Sequence, residues 1–188
     1  MNKLLLLSAV AALAAGASAP AFAAAGDAVG SVGVTGSVAA KCTSASFSDT
    51  IVLNELAATN GTLDTSLPNN TGLTKSFKIS CTSARPTVLV SATRLQNGTA
   101  GSSTGYTDVV DYTATAVATL ADTSTSPTAY TTAAVLPGAT SNHLTDRLAN
   151  TATNLAVTLS AAHTTPATNI LTAGSYSGTI SITVQPTS

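Results

Sequence analysis

The chain has 188 residues, a formal net charge of −1 at pH 7, 8% charged and 4% aromatic side chains, and no tryptophan. This length is typical of one domain, and a core with so few rings must be built from aliphatic side chains. The near-neutral charge excludes the basic surface that binds nucleic acid or anionic membranes, and the low charge content excludes a disordered polyelectrolyte. Abundant threonine beside valine and isoleucine favours strands over helices.

The first 23 residues have the organisation of a secretory signal peptide. Lys3 precedes an apolar run from Leu4 to Ala15, and a stretch of small residues ends at Ala21-Phe22-Ala23. A basic start, a short apolar run and an A-x-A tripeptide are the three parts of such a signal, and this run is too short to span a bilayer. We expect cleavage after Ala23, with Ala19 and Ala21 as alternatives, and export of a mature chain that does not insert into the membrane.

The mature chain contains two cysteines, Cys42 and Cys81. In an exported protein we expect them to form one disulfide, and two unrelated buried thiols are the alternative. Closing a loop of this length would stabilise the fold by at most roughly 4 kcal/mol on the loop-entropy estimate. Their separation excludes a C-x-x-C redox motif, and no histidine lies near enough in sequence to suggest a zinc site.

Alternation of apolar residues predicts strands along most of the mature chain. Even positions from Val32 to Cys42 are apolar or small, which predicts a first strand with one buried face. Phe77, Ile79 and Cys81 predict a second strand that turns the second sulfur inward, with residues 44–74 as an excursion between the two. Further strands are predicted at Val88–Ala92, Val110–Leu120, Tyr130–Leu136, Leu155–Leu159 and Tyr176–Val184, and a short helical turn is predicted at Leu144–Leu148.

Turn residues separate these segments. Asn97-Gly98 is a turn signal because both residues tolerate positive φ, and the Gly, Ser and Thr residues that follow as far as Gly105 predict an exposed loop. Seven or eight short strands with turns between them favour an antiparallel β-sandwich.

Residues that could carry chemistry are few. Ser103 stands in a G-x-S-x-G match, but a nucleophile elbow needs a strand that runs into a helix, and a loop is expected here. His143 and His163 are expected to be exposed loop residues without the further ligands that a metal or acid–base site requires. Asp108 and Asp111 are expected to be solvated turn residues. We therefore expect no enzymatic activity, no metal and no cofactor.

Three stretches resemble those of chaperone–usher pilin subunits, including the spore coat protein U-like family of secreted bacterial proteins. After the signal peptide, Val34-Thr35-Gly36-Ser37-Val38 leads to Cys42-Thr43. The second stretch is Phe77-Lys78-Ile79-Ser80-Cys81-Thr82, and the third, from Leu171 to Val184, is similar to the terminal strand of those subunits. The likeness covers both ends of the mature chain and not its middle, from residue 96 to 153.

The resemblance implies an immunoglobulin-like β-sandwich, residues 34–188, that lacks one strand and is preceded by a donor-strand segment, residues 24–33. In this family a neighbouring copy supplies the missing strand, after a periplasmic chaperone has filled the groove and an outer-membrane usher has received the subunit. Such strand addition combines main-chain hydrogen bonds with pockets for alternate apolar side chains. By the resemblance, the donor side chains are Ala28, Gly30, Val32 and Val34, and the acceptor groove contains Phe77, Ile79, Val157, Ile180 and Ile182.

The expected function is therefore a structural subunit of a fimbria or pilus, exported through the periplasm to the bacterial surface, with a role in adhesion or biofilm. The alternative is a monomeric secreted binding or matrix protein that completes its own sandwich. It would use loops such as Asn97–Gly105 to hold carbohydrate or protein, although the chain has few of the exposed rings that sugar sites present.

Overall fold

The computed structural model describes residues 30–64, 66, 73–98, 101–133 and 138–187. The predicted signal peptide and Ala28 lie outside these residues. The chain divides between Ser37 and Val38 into two units. In the first unit the described residues 30–37 form no strand and are exposed. The second unit carries all the strands described below.

The described residues form an all-β fold of thirteen strands without a helix, which confirms the predicted all-β class. The strands are β1 (Cys42–Thr43), β2 (Thr74–Phe77), β3 (Ser80–Cys81), β4 (Thr87–Ala92), β5 (Leu95–Asn97), β6 (Tyr106–Thr107), β7 (Val109–Thr119), β8 (Thr125–Thr131), β9 (Thr140–His143), β10 (Leu155–His163), β11 (Ile170–Leu171), β12 (Tyr176–Ser177) and β13 (Ile180–Gln185).

Most strands belong to two antiparallel sheets. The larger sheet has the order β12-β5-β7-β10-β2, with β8 also paired to β7, and the smaller has the order β13-β4-β9. β7 is central because it pairs with β10 along one edge and with β5 and then β8 along the other. Two short pairs, antiparallel β1–β3 and parallel β6–β11, complete the ladders.

The core is built from aliphatic and small side chains contributed by both sheets. β7 directs every second residue from Val110 to Ala118 inward, and these residues are at most 1% exposed. β4 contributes Val88 and Val90, both at 0% exposure. Three alanines on β7 leave room for the larger leucines of β10, since a core packs best when large and small side chains face each other.

The longest predicted alternations are confirmed. The strands expected at Val88–Ala92, Val110–Leu120 and Leu155–Leu159 correspond to β4, β7 and β10. The strand expected at Tyr130–Leu136 begins earlier, at Thr125, and contains Pro127. Proline is tolerated there because β8 pairs with β7 alone among the described strands, so its missing N–H faces an unpaired edge.

Two other predicted elements are wrong. In the stretch from Val32 to Cys42 only the final cysteine is in a strand, because the described strand ladders reach no further towards the N-terminus than the pairing of Cys42 with Cys81. The helical turn at Leu144–Leu148 is replaced by bends, with Leu148 bridged to Leu120. Leu144 and Leu148 are both buried, so their four-residue spacing reflects two separate contacts with the core.

Two predicted strands are each divided into two. The Phe77–Cys81 stretch separates into β2 and β3, because the side chain of Asn154 takes up both backbone groups of Ile79 at 2.8 and 2.7 Å. The Tyr176–Val184 stretch breaks near Gly178 into β12 of the larger sheet and β13 of the smaller one. The C-terminal strand thereby reaches the edge of the smaller sheet.

Candidate functional site

β13 presents an open edge. It pairs with β4 from Ile180 to Gln185 and has no second partner among the described strands. Ile180, Ile182 and Val184 are half-buried, whereas the residues between them are exposed. An edge strand of this kind offers a row of unpaired N–H and C=O groups to any added strand.

The segment 47–57 faces this edge across a cleft. Its residues as far as 56 belong to no ladder among the described strands, although Ile51 and Leu53 pack against the core. Near its start, the ring of Phe47 meets that of Phe77 edge to face, with centroids 5.0 Å apart. Each side of the cleft therefore has backbone groups that no strand pairs.

An ion pair also holds the 47–57 segment against the larger sheet. The Nζ of Lys75 lies 3.2 Å from a carboxylate oxygen of Asp49. The backbone N–H of Thr50 donates to Asp49, and this bond together with Lys75 lowers the pKa of the Asp49 carboxyl below its ordinary value. Both side chains are partly exposed, so screening by solvent keeps this ion pair weak.

The cleft consists of two adjoining cavities of about 370 and 740 Å³. They share five lining residues, Thr50, Ile51, Leu53, Leu95 and Gly178. The smaller cavity is lined on the side of the larger sheet by Phe77, Leu95, Tyr112, Val157 and Leu159, and on the side of β13 by Ile180 and Ile182. The larger cavity continues along residues 171–178 and ends beside Ala57.

The smaller cavity is lined by apolar side chains and also by the polar residues Ser48, Asp49, Thr50 and Lys75. Asp49 and Lys75 neutralise each other, and the Glu55 carboxylate accepts the backbone N–H of Ala57 at 3.0 Å. Apolar pockets between two unpaired backbone edges fit an extended segment with alternate apolar side chains.

The described N-terminal residues have that alternating pattern. Val32 and Val34 are each 91% exposed, and Val38, where the second unit begins, is 81% exposed. Gly30, Gly33 and Gly36 separate them, and the segment 30–38 contains no charged residue. Solitary exposed apolar residues are common on protein surfaces, but three valines on the same parity of one short segment form an apolar stripe when the segment is extended.

The loop Cys81–Arg85 holds the chain that leads into Cys42. Cys42 and Cys81 form the predicted disulfide. The hydroxyl of Thr82 donates to the carbonyl of Ala39 at 2.8 Å, and the backbone N–H of Lys41 donates to that hydroxyl at 2.9 Å. The chain before Cys42 is therefore held in place from Ala39 onward.

The same loop also holds the C-terminus. The hydroxyl of Ser83 donates to the carbonyl of Thr187 at 2.7 Å, and the Thr187 N–H donates back at 3.0 Å. The Thr187 hydroxyl donates to the carbonyl of Arg85. The adjacent residues Thr82 and Ser83 therefore hold Ala39 and Thr187, respectively.

The structure brings together four of the five residues predicted for the acceptor groove. Phe77, Val157, Ile180 and Ile182 line the smaller cavity. Ile79 does not line it, because it is only 4% exposed and belongs to the core. Of the predicted donor residues, Gly30, Val32 and Val34 are described and exposed.

Sequence reasoning missed one wall of the cleft. Phe47, Ile51 and Leu53 occupy odd positions of the segment interpreted as an excursion between the first two predicted strands. The signal was present, because these apolar residues share one parity. It was weak because Asp49 interrupts the alternation and Val52 stands on the opposite parity.

The residues considered for chemistry remain apart from the cleft. Ser103 is exposed in a turn closed by the Tyr106 N–H at 2.8 Å. The two histidines lie at the ends of strands rather than in loops, and His143 shares a hydrogen bond of 2.7 Å with Thr87. Within the described ranges, no cluster of three or more His, Cys, Asp or Glu side chains could hold a metal ion.

The prediction that Asp108 and Asp111 are solvated turn residues is wrong. They are 7% and 5% exposed. Arg94 donates two hydrogen bonds to Asp111 at 3.0 and 3.2 Å, and the hydroxyl of Thr132 donates a third at 2.9 Å. The hydroxyl of Ser102 donates to Asp108. A buried carboxylate needs such donors, so these two aspartates fasten loops to β7.

Comparisons with protein families, curated proteins and solved structures gave no match. In the part of the chain that the structure describes, there is no helix long and apolar enough to cross a membrane.

Proposed function

We propose that this chain is a structural subunit of a bacterial surface filament, in which the N-terminal segment of one copy fills the cleft of the next. The observation that carries the proposal is the cleft itself, with an apolar base between the open edge of β13 and the unpaired 47–57 segment. A strand inserted there would pair with backbone on one or both sides and bury its inward side chains.

The finer fold assignment belongs to the same proposal. We propose that the two antiparallel sheets and their shared core form an immunoglobulin-like β-sandwich, in which the open edge of β13 would be the place of one missing strand. A periplasmic chaperone would protect the open edge before assembly and an outer-membrane usher would receive the subunit, because an unprotected edge of this length invites uncontrolled pairing.

The N-terminal segment has suitable dimensions and side chains. Residues 30–37, when extended, span about 26 Å, whereas the six residues of β13 span about 20 Å. Burying the side chains of Val32 and Val34 would contribute about 1.5–3 kcal/mol each before the entropy of ordering is subtracted. The remaining stabilisation would come from main-chain hydrogen bonds along the inserted strand.

A donor that runs antiparallel to β13 would produce an open filament. The donor copy's segment would then emerge at the Ile180 end of the acceptor cleft, so its Cys81–Arg85 loop would face the end opposite to the acceptor's own loop. Such head-to-tail contacts repeat from copy to copy, and they form a fibre when the rotation between copies does not close a ring.

The test compares two double variants of the N-terminal segment, one with aspartates at even positions and one with aspartates at odd positions. Val32→Asp with Val34→Asp places carboxylates on the inward face, and Ser31→Asp with Thr35→Asp places them on the outward face. We expect the first variant to abolish filaments on the cell surface and the second to retain them. Equal loss in both variants, or loss in neither, would contradict the proposal.

A further inference from the structure

We propose that an exposed patch outside the cleft binds a neutral sugar, with the ring of Tyr106 as its stacking surface and the side-chain amide of Asn60 as its hydrogen-bond donor. Asn60, Thr62, Tyr106 and Ile170 form this patch, hereafter the outer patch. The inference depends on the proposed filament only for the repetition of the outer patch along a fibre.

Three short segments place the outer patch on one surface. Residues 57–63 form a hairpin, in which the N–H of Ala58 donates to the carbonyl of Thr62 at 2.8 Å. Ile170 lies next to this hairpin, because it is bridged to Thr62 on one side and paired with Tyr106 on the other. Thr62, Ile170 and Tyr106 therefore follow one another across three neighbouring chain segments.

These three side chains share an outward face. Residues at one level of adjacent strands point to the same side, and the next residue along each strand points to the other. Leu63 and Thr107, which follow Thr62 and Tyr106, are 8% and 6% exposed. By contrast, Tyr106 is 45% and Ile170 is 36% exposed.

Only the inward side of this row belongs to the cleft. Leu171 packs against the core and lines the larger cavity. Tyr106 and Ile170 line neither of the two cavities of the cleft. A donor strand inserted into the cleft would therefore leave the outer patch exposed.

Hydrogen bonds orient the amide of Asn60 at the exposed tip of the hairpin. The N–H and the hydroxyl of Thr62 both donate to its Oδ1, at 3.1 and 2.8 Å. Its Nδ2 donates to no residue that the structure describes, so both of its N–H groups can reach a ligand. Gly61 keeps the hairpin close to Ile170, because a Cβ on Gly61 would lie 3.0 Å from the Cγ2 of Ile170.

The chemistry of the outer patch selects a small neutral ligand. Residues 58–62, 103–107 and 169–172 contain no charged side chain. The row crosses three chain segments, about 10 Å, which is too narrow for a protein interface of about 800 Å² per partner. A pyranose ring fits, since its C–H face packs on an aromatic ring and its hydroxyls accept hydrogen bonds from an amide.

One ring and one amide give weak binding, which repetition would amplify. Tyr106 is the most exposed aromatic side chain among the described residues. Every subunit of a filament would carry the outer patch, and attachment at several sites raises the overall affinity without any new contact.

Beads coated with the mature monomer provide the test, because they present many copies without a filament. The beads are applied to a printed array of oligosaccharides, some built only from neutral hexoses and N-acetylhexosamines and others carrying sialic acid. We expect binding to neutral oligosaccharides. Binding to none of the array, or only to the sialylated members, would overturn the inference.

Substitutions within the outer patch locate the binding. We expect Tyr106→Ala to lower binding about tenfold and Tyr106→Phe, which keeps the ring, to lower it less than about twofold. Asn60→Asp keeps an oxygen for Thr62 but removes the N–H donors, so we expect a loss of about three- to tenfold. Thr131→Ala, at an exposed position of β8, is the control and should bind like the unmodified chain.

Thermal melts of the same proteins show whether each variant is folded. Folded Tyr106→Ala that binds as well as the unmodified chain would overturn the site. If Tyr106→Ala does not fold, Asn60→Asp decides in its place, and unchanged binding in that variant would overturn the site equally.

The two proposals fail separately. Filaments on the cell surface together with beads that bind no neutral oligosaccharide would remove only the sugar site. Beads that bind through Tyr106, from a chain that never forms filaments, would support the sugar site and remove the filament proposal.

Discussion

The rings of Phe47 and Phe77 meet edge to face, with centroids 5.0 Å apart, and join the 47–57 segment to β2 beside the cleft. Truncating one ring should loosen this wall. We expect Phe47→Ala to lower the free energy of unfolding by about 1–3 kcal/mol, and Phe47→Leu to lower it less. Urea unfolding measures both, and an unchanged midpoint in Phe47→Ala would show that the contact does not hold the wall.

The buried amide of Asn154 substitutes for strand pairing at the break between β2 and β3. It bonds the N–H and C=O of Ile79 and the C=O of Ala149 at 2.7–2.8 Å. Asn154→Ala leaves these buried groups without partners, so we expect a loss of about 2–4 kcal/mol in unfolding free energy. Asn150→Ala is the matched control, because the Asn150 side chain is exposed and accepts a hydrogen bond from the partly exposed Lys78 side chain, so its loss should change stability by less than about 1 kcal/mol.

Gly178 allows the chain to leave the larger sheet and enter β13. A Cβ at this position would lie 2.9 Å from the carbonyl oxygens of Thr93 and Arg94, which are backbone atoms that cannot rotate away. We expect Gly178→Ala to destabilise the fold by about 1–3 kcal/mol. Gly138→Ala, where an added Cβ meets no atom within 4 Å, should be close to neutral in the same thermal melt.

Because the phenol of Tyr112 is buried, we expect the folded protein to lose stability in alkaline solution. Burial raises the pKa of its phenol from 10.0 to about 12. The folded state therefore retains a proton that the unfolded chain releases, and the stabilisation present below pH 10 is lost as the pH rises towards 12. Unfolding free energies measured between pH 9 and 12 should fall less steeply in Tyr112→Phe, and an identical slope would contradict this account.

The sequence was sufficient to predict the elements that pack on the core. β4, β7 and β10 alternate over most of their length, because each has one face on the core. The same reasoning wrongly predicted a strand from Val32 to Ala40, where the alternation is present without a partner strand. Periodicity reports which side chains could share a face, and it does not report whether another backbone is available to pair.

The candidate site was predicted only in part for a related reason. Ile180, Ile182, Phe77 and Val157 were expected in the groove and line the cleft. The opposite wall of the cleft, residues 47–57, depends on long-range contacts such as the ion pair of Lys75 with Asp49. The hydrogen bonds that hold Ala39 and Thr187 depend on hydroxyls of the Cys81–Arg85 loop. Nothing in local sequence distinguishes these hydroxyls in a chain so rich in serine and threonine.

The most direct test of the filament proposal is a denaturing gel of material sheared from the native cell surface, loaded with and without boiling. Bands are identified by mass as this chain. We predict a ladder of multiples without boiling that collapses to the mature monomer on heating, because the subunits would be joined by inserted strands rather than covalent bonds. A single monomer band without boiling would contradict the account.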